Sequence, residues 1–117
     1  MAQGSVLRLE EGIFNLIKCV WDIIKKIWVA ILSFTEHIRD FFRNALRLKK
    51  IQNNSDIIAT SIKRKLEDGD YAVVNCLYDT EENKLVDYKR DAEIIAAEKL
   101  DATTRKMFGR KNMLVLS

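Results

Sequence analysis

Apolar residues recur in alternating steps of four and three from residue 13 to residue 48, and this spacing constrains the fold more than any other feature of the chain. The series consists of Ile13, Ile17, Val20, Ile24, Ile27, Ile31, Phe34, Ile38, Phe41, Ala45 and Leu48. In an α-helix this spacing places the side chains along one side. A heptad pattern kept over about five repeats is typical of helices that pack against other helices. The sequence therefore predicts one long amphipathic helix.

The apolar side of this predicted helix is wide. Aromatic side chains flank the series on one side at multiples of seven, at Phe14, Trp21, Trp28 and Phe42. Leu16, Ile23 and Ala30 flank it on the other side. A two-stranded coiled coil buries only two positions of each heptad. A wide apolar side instead favours packing on two or more neighbours, as in a helical bundle or a larger assembly.

A cluster of turn-forming residues at positions 52–56 divides the chain into two regions. The predicted domains are a long helix over residues 1–52, which faces an assembly or a membrane, and a small α+β domain over residues 53–117. The predicted fold class is accordingly α+β, with a long N-terminal amphipathic helix followed by a small module that contains a short antiparallel sheet.

Local signals predict the elements of the second region. Ser55 or Asp56 can cap a helix that Gly69 ends. Residues rich in β formers predict strands over residues 71–78 and 84–88, a short strand over residues 92–97, and a closing strand over residues 113–116. Asp101 can cap a short helix through Phe108.

The positive charge is unevenly distributed, although the net charge is only +3. Between residues 39 and 50, Asp40 is the one acid beside five basic residues, which we call the basic block: Arg39, Arg43, Arg47, Lys49 and Lys50. Such a block suits contact with an anionic membrane, with nucleic acid, or with an acidic region of a second copy.

No pattern in the sequence points to catalysis. His37 is the one histidine, and a histidine without nearby nucleophiles or metal ligands is a poor catalytic candidate. Cys19 and Cys76 are far apart and form no CxxC pair. Glycine-rich phosphate-binding loops are absent. We therefore predict a non-enzymatic protein without a cofactor, a metal ion or a small-molecule substrate.

The predicted helix is too long to be covered by the rest of the chain. Residues 6–48 would extend about 60 Å at 1.5 Å per residue, whereas the second region should be about 25 Å across. The first prediction is therefore a structural protein that self-associates into a homo-oligomer through this helix. The predicted interface, for an oligomer or a membrane, consists of Ile13, Phe14, Ile17, Val20, Trp21, Ile24, Ile27, Trp28, Ile31, Phe34, Ile38, Phe41 and Phe42.

Three alternatives remain open. The helix could lie at an anionic membrane surface, with Trp21 and Trp28 at headgroup depth. The basic block could make the chain a nucleic-acid-binding accessory protein, which ranks third. The helical segment could also fold back as a hairpin, with a break near Gly12 or at residues 33–35. Because the first residues show no secretion signal, we expect a cytoplasmic location, with peripheral membrane association as the alternative.

Overall fold

Six strands form one mixed sheet at the centre of the computed structural model, which describes residues 2–116 and, for side chains, residues 8–116. The strands are β1 (Lys25–Leu32), β2 (Ile57–Lys65), β3 (Tyr71–Asp79), β4 (Lys84–Leu85), β5 (Glu93–Leu100) and β6 (Met113–Val115). Their order is β1-β5-β3-β2-β6, and the short β4 pairs with the end of β3. β1 runs parallel to β5, whereas the other neighbouring strands are antiparallel.

Helices lie before, between and after these strands. They are α1 (Ala2–Cys19), a π-helix (Phe34–Arg39) that continues into α2 (Asp40–Phe42), α3 (Ala45–Asn53) and α4 (Ala102–Phe108). Asp101 caps α4, because its carboxylate accepts a hydrogen bond from Thr104 N at 2.8 Å. Gly109 follows with φ of 57°, a left-handed conformation that glycine adopts without strain.

The sheet has an apolar core on each face. On one face, Ile13 and Ile17 of α1 pack with Ile62, Val74 and Ile94 of the sheet. The core on the other face joins residues of the π-helix, α2 and α4 to the sheet, and includes Ile38, Phe41, Phe42, Val73, Leu77, Ile95 and Phe108. Neighbouring residues of a strand point to opposite faces, so Val73 and Val74 belong to different cores.

A polar chain of contacts attaches the π-helix to the sheet. Ser61 Oγ donates to Asn75 Oδ1, and Asn75 Nδ2 donates to the His37 carbonyl oxygen at 2.8 Å. Ser61 and Asn75 are fully buried, and a buried polar group without a partner would be costly. His37 Nδ1 in turn accepts a hydrogen bond from Ser33 N at 2.8 Å, so this histidine has a structural role at the start of the π-helix.

The α+β class is confirmed, but the predicted long helix is wrong. The helix ends at Cys19, and part of the expected rod is instead the strand β1. The physical reason is that residues 27–32 form an unbroken apolar run, which suits a strand inside a sheet as well as a helix. The sheet is also larger than the short antiparallel one that we expected, and β1 makes it mixed.

The elements after residue 52 were predicted with mixed success. Residues 57–65 form the strand β2, so the predicted helix in this segment is wrong. The strand over residues 71–78, the helix capped by Asp101 and the closing strand near Met113 are confirmed. The boundary at residues 52–56 covers the last two residues of α3 and the three residues before β2, and the sheet takes strands from both sides of it.

This fold makes a prediction about two isoleucines of the N-terminal region. Ile17 of α1 is fully buried in the core against the sheet. Ile23, in the turn before β1, is 52% exposed. Replacing Ile17 with alanine should lower the free energy of unfolding by about 3 kcal/mol, because it leaves a cavity in the core. The matched change Ile23→Ala should cost less than about 1 kcal/mol. Urea denaturation measures both, and equal effects would contradict the placement of α1.

Candidate interaction surface

β1 forms one edge of the sheet. Seven of its eight residues pair with β5 on one side, and within residues 2–116 no strand pairs with its other side. Its residues 27–32 include no charged residue and no proline. Such an edge presents a row of unpaired backbone N–H and C=O groups, to which a strand of another chain can be added.

The side chains on and near β1 make this edge apolar as well as unpaired. Trp28 is 62% exposed and Ile31 is 57% exposed. Ile27 and Val29 pack against the core on the face opposite α1, so alternation places Trp28 on the face that carries α1. Trp28 does not belong to the core beneath α1. Exposed apolar side chains at an unpaired edge are typical of an interaction site.

The opposite edge of the sheet has a different character. The edge strand there, β6, has three residues, and the exposed basic residues Arg110 and Lys111 precede it. Short edge strands and nearby charges are features by which proteins prevent association between sheets. Of the two edges, β1 is therefore the one suited to strand addition.

The structure distributes the predicted interface residues over both cores and β1. Six of them are buried, namely Ile13, Ile17, Ile24, Ile38, Phe41 and Phe42. Five are partly buried and pack against a core, namely Phe14, Val20, Trp21, Ile27 and Phe34. The remaining two, Trp28 and Ile31, are exposed and both belong to β1. The participation of any of these residues in an interface stays a prediction.

Two residues of the basic block hold α3 against the rest of the fold. Arg47 Nε lies 3.2 Å from Asp91 Oδ1, and Lys50 Nζ lies 2.5 Å from Asp91 Oδ2. Asp91 is only 1% exposed. Lys50 Nζ also lies 2.5 Å from Asp87 Oδ2. These ion pairs neutralise part of the block, while Arg39, Arg43 and Lys49 are exposed.

The ion pairs shift the protonation of their members. The hydrogen bond from Lys50, followed by its positive charge, lowers the pKa of Asp87. The hydrogen bonds to Asp87 and then Asp91 raise the pKa of Lys50. Sequence reasoning missed both contacts with Lys50, because the two acids follow it by 37 and 41 positions and no local pattern connects them to it.

The two cysteine thiols lie in different surroundings. Burial raises the pKa of the Cys76 thiol to about 11, so this thiol is neutral near pH 7. Cys19 is exposed and unpaired. Among residues 2–116, no three histidine, cysteine, aspartate or glutamate side chains come together in a way that could hold a metal ion.

Comparisons with models of known families, with characterised proteins and with solved structures give no match to this chain. None of the helices within the described residues combines the length and the apolar character needed to cross a bilayer.

The ion pairs of Asp91 with Arg47 and Lys50 can be tested by removing one charge. Asp91→Asn keeps the shape of the side chain but leaves Arg47 and Lys50 without their shared carboxylate. Because breaking a buried ion pair is strongly destabilising, the free energy of unfolding should fall by about 3 kcal/mol. The matched control is Glu82→Gln, whose ion pair with Lys84 is exposed and should contribute little. Chemical denaturation measures both, and an unchanged stability of Asp91→Asn would contradict the role given to these ion pairs.

Proposed function

We propose that the chain is a non-enzymatic interaction module that self-associates by pairing the β1 strands of two copies. The observation that supports this most directly is the combination of an unpaired edge and the 62% exposed Trp28 on the same strand. The proposal keeps the homo-oligomer expected from the sequence but moves the interface from a helix to a strand.

A second copy suits this edge because an antiparallel pair of β1 strands avoids like-charge contacts. In a pair related by a two-fold axis through Trp28, Lys25 lies opposite Ile31 and Lys26 lies opposite Ala30. A parallel pair would instead bring the lysines of both copies together, and like charges placed opposite each other destabilise a sheet. The antiparallel arrangement therefore fits the charge pattern of the strand.

The same arrangement buries the most exposed aromatic side chain near β1. Trp28 of each copy lies opposite Trp28 of the other, at the spacing of about 5 Å that separates directly opposed residues. Aromatic pairs across strands stabilise a sheet beyond the area that they bury. Ala30 lies between the Val29–Ala97 and Ile31–Lys99 pairs, level with Glu98. In this arrangement Lys26 of the second copy and Glu98 lie on either side of the small Ala30, in the same row across the three strands.

The two alternatives drawn from the sequence have less support. The apolar face of α1 packs on the sheet through Ile13 and Ile17, which leaves that face unavailable to lipid. Asp87 and Asp91 neutralise part of the positive charge of the basic block. This neutralisation reduces the attraction of the block for nucleic acid. A cytoplasmic location agrees with two cysteines that form no disulfide, and it remains part of the proposal.

The first test measures self-association by sedimentation equilibrium. The protein should form dimers, and Trp28→Lys should weaken dimerisation at least about tenfold, since a charge there removes apolar area and opposes its own copy. The matched control is Val115→Lys on β6, because Val115 is also half exposed, at 50%, and also lies on an edge strand. The control should dimerise like the unmodified protein.

Two results would overturn the proposal. One is a protein that stays monomeric at tens of micromolar, and the other is an equal loss of dimers in both variants. Flotation with anionic vesicles complements the measurement. If the protein is monomeric, floats with these vesicles and loses this binding with Trp28→Lys, the exposed edge of β1 binds a membrane instead.

The second test checks the register of the pair. With Cys19 replaced by serine, the double variant Lys26→Cys and Ala30→Cys should form disulfide-linked dimers on mild oxidation. Directly opposed residues of antiparallel strands have Cα atoms about 4.5–5.5 Å apart, which a disulfide can bridge. The control pairs Lys25→Cys with Ala30→Cys, whose side chains point to opposite faces. Equal cross-linking of both double variants would rule out this register.

A further inference from the structure

A cavity of about 510 Å³ lies between α3 and the loop that joins β4 to β5. Its apolar wall consists of Leu46, Ile57 and Val86. The volume lies within the range of sites that bind small molecules. The cavity contains no residue of β1, so an inference about it stands apart from the proposed dimer.

Basic side chains surround the apolar wall. Lys49, Lys50 and Arg90 line the cavity, whereas Asp87 is the one acid among the described residues that line it. Lys50 is engaged with Asp87 and Asp91. Lys49 and Arg90 form no ion pair within residues 8–116. The charge of Arg90 also contributes to the lowered pKa of Asp87, but the described lining residues still include more basic than acidic side chains.

The loop that carries Arg90 is held in place. The Asp87 carbonyl oxygen accepts hydrogen bonds from Arg90 N at 2.9 Å and from Asp91 N at 2.7 Å. Arg47 Nη2 of α3 donates to the Arg90 carbonyl oxygen at 2.8 Å. The two sides of the cavity are therefore fixed to each other before any ligand arrives, which lowers the entropic cost of binding.

We propose that this cavity binds a small amphipathic anion, a carboxylate or a phosphate monoester with a short apolar tail. The anionic group contacts Lys49 and Arg90, and the tail lies on Leu46, Ile57 and Val86. A charged hydrogen bond to a carboxylate or a phosphate is stronger than one between neutral groups. The apolar wall adds affinity in proportion to the area of the tail that it buries.

The negative charge of Asp87 repels such a ligand, so removing this charge should strengthen binding of the anion. Its carboxylate lines the cavity and also accepts a hydrogen bond from Lys50. Replacing Asp87 with asparagine removes a negative charge from the cavity and releases Lys50 from one of its two carboxylates, the other being Asp91. The backbone of Asp87 has φ of 45°, and asparagine tolerates this left-handed conformation, so the variant should fold normally.

The experiment uses isothermal titration calorimetry with octanoate and with octyl phosphate as probes. At least one of these probes should bind saturably with one site per chain. The double variant Lys49→Gln and Arg90→Gln should weaken that binding at least about tenfold, and Asp87→Asn should tighten it several-fold. Lys106→Gln is the matched control, because Lys106 is an exposed lysine on α4, away from the cavity, and it should bind like the unmodified protein.

Binding must also depend on the sign of the charge of the probe. Octyltrimethylammonium has the same tail and the opposite charge, and it should not bind. The proposal is overturned if neither anion binds saturably, if the cation binds as well as the anions do, or if the Lys49 and Arg90 double variant binds with unchanged affinity. Weaker binding to Asp87→Asn, with the fold intact by circular dichroism, would overturn the assigned position of the anion.

Discussion

The fold depends on the need to cover both faces of β3. All seven residues of β3 from Ala72 to Tyr78 are buried. Because side chains alternate along a strand, such a run makes both faces of the sheet apolar, and each face needs a layer of helix. α1 covers one face, whereas the π-helix, α2 and α4 contribute to the core on the other. The chain must therefore pass from one side of the sheet to the other after α1.

β1 is the segment that makes this passage, and its exposure follows from that role. α1 packs on one face and the π-helix packs on the other, so the strand between them runs at the border of the sheet, beside β5. The chain then continues into the π-helix, and within residues 2–116 no later strand pairs with the outer side of β1. The edge is long because β1 matches the length of β5, eight residues each. An edge of this length needs protection in a single copy, and a second copy is one way to provide it.

Spacing alone could not distinguish a helix from a strand in the N-terminal region. Ile24, Ile27 and Ile31 fit a helical series, yet the residues between Ile27 and Ile31 are also apolar, and β-branched residues favour strands. Ile57, Ile58 and Ile62 of β2 raise the same difficulty. The C-terminal elements could be predicted because their signals are local: Asp101 caps α4, and Gly109 adopts the positive φ that ends it. Trp28 was predicted as an interface residue on a helix, whereas the structure places it on a strand.

The Asp87 and Asp91 contacts illustrate what a sequence pattern cannot supply. No residue of α3 is buried, so apolar packing alone does not fix this helix, and Arg47 and Lys50 attach it to acids far along the chain. The two acids have different positions and therefore different consequences. Asp91 is buried and pairs with both Arg47 and Lys50, so it attaches to the rest of the fold the helix that forms one wall of the cavity. The side chain of Asp87 is 57% exposed and lines the cavity, so its charge offsets part of the positive charge there. A ligand that competes with Asp87 for Lys50 would leave the Asp91 contacts intact, and the site could bind an anion without loosening the helix that forms its wall.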